Sequence, residues 1–186
     1  MSRITLILGG ARSGKSRHAE ALLRRARGKP TYIATAEVTD DEMRARTARH
    51  QKDRGAGWVT VETPLHLAEA VAASRGPTLI DCITVWIGNL MHHGRDVAAE
   101  VARLCAALDG AKGPIVIVSN EAGLGIVPDN PMARAFRDHQ GEANQRLAAI
   151  ADDVILVAAG LPLRLKTTRR RGRQGRGAGS GRGRKA

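Results

Sequence analysis

The stretch GGARSGKS, Gly9–Ser16, decides the fold. It matches the pattern G-x-x-x-x-G-K-[ST], in which glycines let successive backbone N–H groups turn toward phosphate oxygens. A short apolar run precedes the stretch and an amphipathic segment follows it, so its context is strand, loop and helix. The amino-terminal end of such a helix attracts phosphate through its dipole. The sequence therefore predicts a phosphate loop that binds a nucleoside triphosphate.

The side chains of this loop, and one carboxylate beyond it, suggest how the nucleotide is held. The nucleotide contacts expected within the loop are Gly9, Gly10, Ala11, Arg12, Ser13, Gly14, Lys15 and Ser16. The Lys15 ammonium is expected to act in catalysis as a charge on the β- and γ-phosphates, and the Ser16 hydroxyl to ligate Mg²⁺. Asp81, which closes the apolar run TLID, is the expected second magnesium-side ligand, the alternative being an ordinary cap at a strand end. Glu121 follows another apolar run, where a role in the site and a role in a turn are equally expected.

Short apolar runs alternate with longer amphipathic segments along the chain, as is typical of βα units. Strands are predicted at Ile4–Leu8, Thr31–Ala34, Trp58–Glu62, Thr78–Asp81, Ile115–Asn120 and Val154–Ala159. Helices are predicted at Ser16–Arg27, Asp40–Asp53, Pro64–Ser74, Thr84–His92, Asp96–Leu108 and Pro131–Ala151. The strands are almost continuously apolar, so both of their faces should be buried in a mostly parallel sheet flanked by helices.

Most of the positive charge lies at the carboxyl end of the chain. The 186 residues carry a formal net charge of +12, and residues 167–186 include seven arginines, one lysine and no acid. We predict one domain, residues 1–166, followed by a disordered basic tail, residues 167–186, because Gly and Arg cannot bury enough apolar surface to order it. Nucleic acid is not expected as the main partner, since the tail has no aromatic residue for base stacking.

The remaining composition favours a soluble enzyme of the cytoplasm. Cys82 and Cys105 have neither the number nor the spacing of a disulfide framework or a zinc site, which fits a reducing compartment. The longest apolar stretch, Val154–Leu163, is about half as long as a membrane span requires. The amino terminus lacks the pattern of a secretory signal.

Four stretches together resemble a known family. They are LGGARSGKSRHAE (8–20), YIATAEVTDDEMRARTARHQKDR (32–54), LIDCITVWIGNL (79–90) and VSNEAGLGIVPDNPMARAFRDHQGEANQRLA (118–148). The chain is similar, over nearly all of residues 3–166, to the bifunctional adenosylcobinamide kinase/adenosylcobinamide-phosphate guanylyltransferases of cobalamin biosynthesis. Blocks such as NEAGLGIVP are far more specific than a phosphate loop. The resemblance implies a single P-loop NTPase domain of the RecA-like kind.

The resemblance implies two reactions in one small domain. ATP or GTP first phosphorylates the aminopropanol hydroxyl of adenosylcobinamide, a corrinoid. GTP then donates GMP to that phosphate, giving adenosyl-GDP-cobinamide and pyrophosphate. In the family the second step passes through a GMP-histidine intermediate, and the matching histidine in RTARHQKDR (46–54) is His50. The expected cofactor is Mg²⁺, and the expected assembly is a homotrimer.

The carried-over role of His50 is chemically reasonable. A neutral imidazole is a good nucleophile toward phosphorus, and neighbouring cations hold it unprotonated and stabilise developing negative charge. Arg46 lies four residues earlier, on the same face of a helix, and is expected to assist at the phosphates. Further nucleotide contacts implied by the resemblance are Ala34, Thr35, Ala36, Gln51, Lys52, Asp53 and Arg54, with Glu62 and Thr84 as weaker candidates.

Two alternatives remain open at the level of sequence. One is a P-loop kinase with a single activity on another small metabolite. The other is not an enzyme but a nucleotide-regulated protein that binds nucleic acid through its basic tail, an association that would weaken with salt because it depends on released counterions.

Overall fold

The computed structural model describes residues 3–37 and 57–168. These residues form one seven-stranded sheet, with strands β1 (Ile4–Gly9), β2 (Thr31–Ala34), β3 (Val59–Glu62), β4 (Thr78–Asp81), β5 (Ile115–Asn120), β6 (Asp153–Ala158) and β7 (Leu161–Thr167). The strand order across the sheet is β3-β2-β4-β5-β1-β6-β7. Every neighbouring pair is parallel except β6 and β7. The predicted mostly parallel sheet is confirmed.

Helices cover both faces of this sheet. They are α1 (Lys15–Leu23), α2 (Leu67–Ala73), α3 (Ile83–His92), α4 (Val97–Asp109) and α5 (Pro131–Ile150). Helix α1 packs on one face, against a core that includes Ile7 and Val118, whereas α2 to α5 pack on the other, against Leu6 and Ile117. Alternate strand residues thus enter opposite cores, which explains why the strands are continuously apolar. No helix in the described ranges is long and apolar enough to cross a membrane.

Two helices are shorter than predicted, each for a local reason. The helix predicted at Pro64–Ser74 begins only at Leu67, because the carbonyls of Pro64 and Leu65 accept hydrogen bonds from Asn89 and Trp86 side chains of α3. The helix predicted to reach Arg27 ends at Leu23, after which the chain turns through Gly28 at φ +97°. The helix predicted at Asp40–Asp53 lies outside the described residues, as does the tail beyond residue 168.

Strand β7 is absent from the prediction, which ended the last strand at Ala159. Ala159 and Gly160, with φ of +50° and +80°, form a two-residue turn of the kind that joins antiparallel strands, and Ala158 pairs with Leu161 across it. Thr167, which the prediction placed in the tail, is the last residue of β7, and its hydroxyl donates to Asp153 at 3.1 Å.

Candidate functional site

The carboxyl ends of the parallel strands meet at one edge of the sheet. In the strand register Gly9 pairs with Asn120, and Ala34 pairs with both Asp81 and Glu62. The register therefore brings the end of the phosphate-loop strand into line with the ends of β2 to β5. Open α/β sheets bind their ligands at this edge.

The phosphate loop fits against the sheet through two glycines. A Cβ on Gly9 would lie 2.5 Å from the Val157 carbonyl oxygen and 2.6 Å from the Ser13 Oγ, so no larger residue can replace it without movement. Gly14 has φ +95°, and a Cβ added at this position would lie 3.3 Å from the Gly160 Cα. The Gly160 amide donates to the Ser13 carbonyl at 2.8 Å, so the turn between β6 and β7 supports the loop.

The residues of the phosphate loop differ in how exposed they are to solvent. Gly10, Ala11 and Arg12 form its exposed rim, while Ser16 at the start of α1 is half-buried. Lys15 is only 9% exposed, and its ammonium donates to the Gly10 carbonyl at 3.0 Å. The buried Ser13 hydroxyl has no hydrogen-bond partner among the described residues. These polar donors are chemically suited to phosphate oxygens.

Asp81 lies two strands away from the phosphate loop, because β5 separates β4 from β1. Two strand spacings amount to about 10 Å, a span that a hydrated metal ion and a phosphate group can bridge. The carboxylate is half-buried, and the Tyr32 hydroxyl donates to its Oδ2 at 3.2 Å, which orients it. A carboxylate and the Ser16 hydroxyl are hard oxygen ligands, so this donor set fits Mg²⁺.

Thr35 joins the end of β2 to the residue after Asp81. Its hydroxyl donates to the Cys82 carbonyl and accepts from the Cys82 amide, both at 2.8 Å, and the side chain is fully buried. The Asn89 side-chain amide donates to the Thr35 carbonyl at 2.7 Å. The Thr35 hydroxyl is thus engaged in holding the backbone beside Asp81, and its predicted contact with nucleotide stays a prediction, as do those of Ala34 and Ala36.

The Cys82 thiol stays protonated at neutral pH. Burial, and next the negative charge of Asp81, raise its pKa to about 11, although the Lys15 charge acts in the opposite direction. Because the thiolate is the nucleophilic form, Cys82 is a poor candidate for a covalent intermediate.

The Thr84 hydroxyl, near the start of α3, is likewise occupied by a hydrogen bond to the backbone. Its hydroxyl accepts from the Asn120 amide at 2.7 Å and so ties the start of α3 to the end of β5. The Asn120 carbonyl in turn accepts from the Asn144 side chain of α5 at 3.0 Å. Glu121, whose role the sequence left open, accepts from the Gly123 amide at 2.8 Å, and its own amide donates to the Gly9 carbonyl.

The remaining predicted residues divide into two groups. Glu62 is exposed at the end of the edge strand β3, on the same edge of the sheet as Asp81. Outside the described residues lie His50, Arg46, Gln51, Lys52, Asp53 and Arg54. Two further residues of the site, Asn89 and Gly160, were not predicted. The one available signal was an amide within the apolar helix ITVWIGNL, which indicates that Asn89 has a specific partner.

A comparison with family models decides among the alternatives that the sequence left open. The model described as cobinamide kinase/cobinamide phosphate guanyltransferase matches residues 5–165. The chain belongs to this family. It is therefore a bifunctional transferase of cobalamin biosynthesis that uses nucleoside triphosphates and acts on a corrinoid, and the predicted family and activity are confirmed. The match disfavours both the single-activity kinase and the nucleic-acid-binding alternative.

Relatives of this cobinamide kinase/guanyltransferase family match nearly over their whole length. The bifunctional adenosylcobalamin biosynthesis protein CobU of Salmonella typhimurium is 42% identical over 179 residues, covering 87% of this chain and 98% of the relative. The corresponding protein CobP of Pseudomonas aeruginosa is 42% identical over 166 residues, covering 87% of this chain and 96% of the relative.

The fold is similar to that of a larger ATPase. An ATPase of the type III secretion system of pathogenic bacteria superimposes with a TM-score of 0.52 at 13% identity, covering 89% of this chain. This chain spans 57% of the length of that structure. The likeness shows the fold alone and, with the sheet order, confirms the predicted P-loop NTPase class.

The two glycines at the start of the loop, Gly9 and Gly10, should differ in how well they tolerate substitution by alanine. Gly9→Ala forces a Cβ into the Val157 carbonyl, whereas a Cβ on Gly10 meets nothing within 4 Å. We expect Gly9→Ala to lower the free energy of unfolding by about 1–3 kcal/mol, the cost of overpacking. Gly10→Ala should change it by no more than about 0.5 kcal/mol. Urea denaturation of both variants without nucleotide measures the difference, and equal stabilities would contradict the close packing of the loop.

Removing the Thr35 hydroxyl should loosen the backbone beside Asp81. Thr35→Val keeps the shape but leaves the Cys82 amide without its partner, whereas the Cys82 carbonyl keeps the hydrogen bond from the Trp86 amide. The expected cost is about 1–3 kcal/mol for the one buried polar group left unpaired. Thr35→Ser retains the hydroxyl and should lose only about 0.8 kcal/mol for the methyl group. Denaturation and the KM for GTP are measured together. A stable Thr35→Val variant with a raised KM would instead assign the hydroxyl to the nucleotide.

Proposed function

We propose that one nucleotide site, at the carboxyl edge of the sheet, serves both transfers of this enzyme. The observation that carries the proposal is the packed phosphate loop in a chain whose family performs both reactions. In the kinase step the acceptor hydroxyl attacks the γ-phosphorus of ATP or GTP, and the nucleoside diphosphate leaves. Lys15, released from the Gly10 carbonyl, stabilises the charge on the β- and γ-phosphates.

The magnesium ligands of this proposal are Ser16 and Asp81. Mg²⁺ would neutralise charge on the phosphates and help to position them for transfer. Tyr32 and Thr35 act as positioning residues, because one orients the Asp81 carboxylate and the other fixes the backbone that follows it. The rim residues Gly10, Ala11 and Arg12 contribute loop contacts to the phosphates.

The second transfer proceeds through His50 in this proposal. A ring nitrogen of His50 attacks the α-phosphorus of GTP, a P–N bond forms, and pyrophosphate leaves. An oxygen of the corrinoid phosphate then attacks the same phosphorus, the P–N bond breaks, and the imidazole is regenerated. Arg46 stabilises charge on the α-phosphate, and residues 51–54 contribute nucleotide contacts. The support is the RxRxxRH segment in a chain of this family.

The proposal extends to assembly and location. The family resemblance supports a homotrimer. The two cysteines, Cys82 and Cys105, are both free, which supports a reducing cytoplasm. The catalytic domain of this proposal extends to the end of β7 at Thr167, one residue beyond the predicted boundary, and the basic tail that follows is a separable appendage.

The covalent step can be tested by labelling with GTP that carries ³²P at the α-position. The unmodified enzyme should acquire a label that is labile to acid and stable to base, as a phosphoramidate is, and His50→Asn should acquire none. His139→Asn, on α5, is the matched control and should label normally. Labelling of His50→Asn at the normal level would exclude His50 as the covalent residue.

The role of Asp81 can be tested by magnesium titration of the kinase reaction. Asp81→Asn removes the charge but keeps the size, and we expect the Mg²⁺ concentration at half-maximal rate to rise at least about tenfold. Asp109→Asn, an exposed acid at the end of α4, makes the same charge change away from the carboxyl edge and should have no effect. If the Mg²⁺ concentration at half-maximal rate is unchanged in Asp81→Asn, Asp81 is not a magnesium ligand and serves only as a cap at the strand end.

A further inference from the structure

The loop between β5 and α5, residues 121–130, holds large apolar side chains out toward solvent. Ile126 is 97% exposed, Leu124 is 86% exposed and Val127 is 59% exposed. Single apolar side chains are common on protein surfaces, but several on one short loop are typical of a binding surface. We call residues 124–127 the apolar loop segment.

Hydrogen bonds hold the loop at both ends. At its start the Glu121 amide donates to the Gly9 carbonyl at 3.1 Å, which fastens it directly to the phosphate loop. At its end the Arg134 guanidinium donates to the carbonyls of Pro128, at 3.0 Å, and Asp129, at 2.6 Å. The apolar loop segment therefore projects from a support made of backbone contacts. Such a surface loses little conformational freedom when a ligand covers it.

The location of this segment suits the acceptor of the transfer. The acceptor hydroxyl must approach the γ-phosphate at the phosphate loop, so the rest of the acceptor extends over the same edge of the sheet. The apolar loop segment begins only three residues after Glu121, which contacts Gly9. The segment therefore begins close to the strand end that adjoins the phosphate loop, on the edge of the sheet over which the acceptor extends.

The acceptor is too large to be enclosed by the cavity found elsewhere in the domain. That cavity, of about 310 Å³, lies at the opposite edge of the sheet, at the amino-terminal ends of the parallel strands. Ile115 and Asp153, which line it, are the first residues of β5 and β6, and Thr5 is the second residue of β1. Such a volume is at the lower limit for a drug-sized ligand. A corrin ring, a macrocycle of four linked five-membered rings with methyl and amide substituents, is better accommodated on an open surface.

We propose that the apolar loop segment is the surface on which the corrin ring of the acceptor lies during both transfers. The methyl-bearing rim of the ring covers Leu124, Ile126 and Val127. This assignment rests on the corrinoid-directed function stated above. It makes Leu124 and Ile126 specificity residues for the acceptor and leaves nucleotide binding to the phosphate loop.

Steady-state kinetics of the double variant Leu124→Ser/Ile126→Ser test the assignment. We expect the KM for adenosylcobinamide to rise at least about tenfold, since two apolar contacts are lost. The KM for GTP should stay within about twofold, because no residue of the phosphate loop is changed. Leu165→Ser is the matched control. This residue of β7 is 56% exposed and lies beside the amino-terminal end of β6, far from the carboxyl edge of the sheet. Both KM values of this variant should equal those of the unmodified enzyme.

Each other outcome contradicts the assignment in a recognisable way. An unchanged KM for adenosylcobinamide in the double variant removes the segment from the acceptor site. An equal rise in both KM values makes the loop a support of the nucleotide site, and an equal effect of Leu165→Ser makes the loss non-specific. The double variant Leu124→Ile/Ile126→Leu keeps the apolar surface, so its KM for adenosylcobinamide should equal that of the unmodified enzyme. If the unmodified enzyme does not turn over adenosylcobinamide, the proposed function fails, and the assignment fails with it.

Discussion

The packing of the phosphate loop against neighbouring strand ends is the constraint on which the site depends. The loop can close over β1 only because Gly9 leaves room for the Val157 carbonyl and Gly14 for Gly160. One hydrogen bond, from Gly160 to Ser13, supports the loop from the side of β6, and another, from Glu121 to Gly9, supports it from the side of β5. The loop is therefore fixed by the sheet itself, and its amides are oriented before a phosphate arrives.

The fold could be predicted from the sequence largely because its strands are buried on both faces. Continuous apolar runs such as Ile115–Asn120 coincide with the observed strand, and the parallel arrangement follows from the intervening helices. Strand β7 was missed because Pro162, Arg164 and Lys166 alternate with its leucines, whereas strands were predicted only from almost continuously apolar runs. The alternation was itself a strand signal, and the Ala159–Gly160 turn confirms it in the structure.

The candidate site was predictable to the extent that a local motif defines it. The phosphate loop and the Asp81 strand end were found from residue types and spacing, because both depend on short segments. The hydroxyl of Thr35 and the amide of Asn89 act on residues 47 and 54 positions away. Such pairings depend on sheet register and helix packing, which no single sequence window contains. For the same reason the sequence could not show that Gly160 supports the phosphate loop.

Both transfers use a single nucleotide site in this enzyme, according to the proposal, and competition by an unreactive nucleotide tests this most directly. A GTP analogue with methylene groups in place of both bridging oxygens cannot react at either phosphorus. Its inhibition constant against the nucleotide is determined separately in the kinase and guanylyltransferase reactions. One shared site predicts competitive inhibition with the same constant in both. Inhibition of one reaction at concentrations that leave the other unaffected would contradict the account.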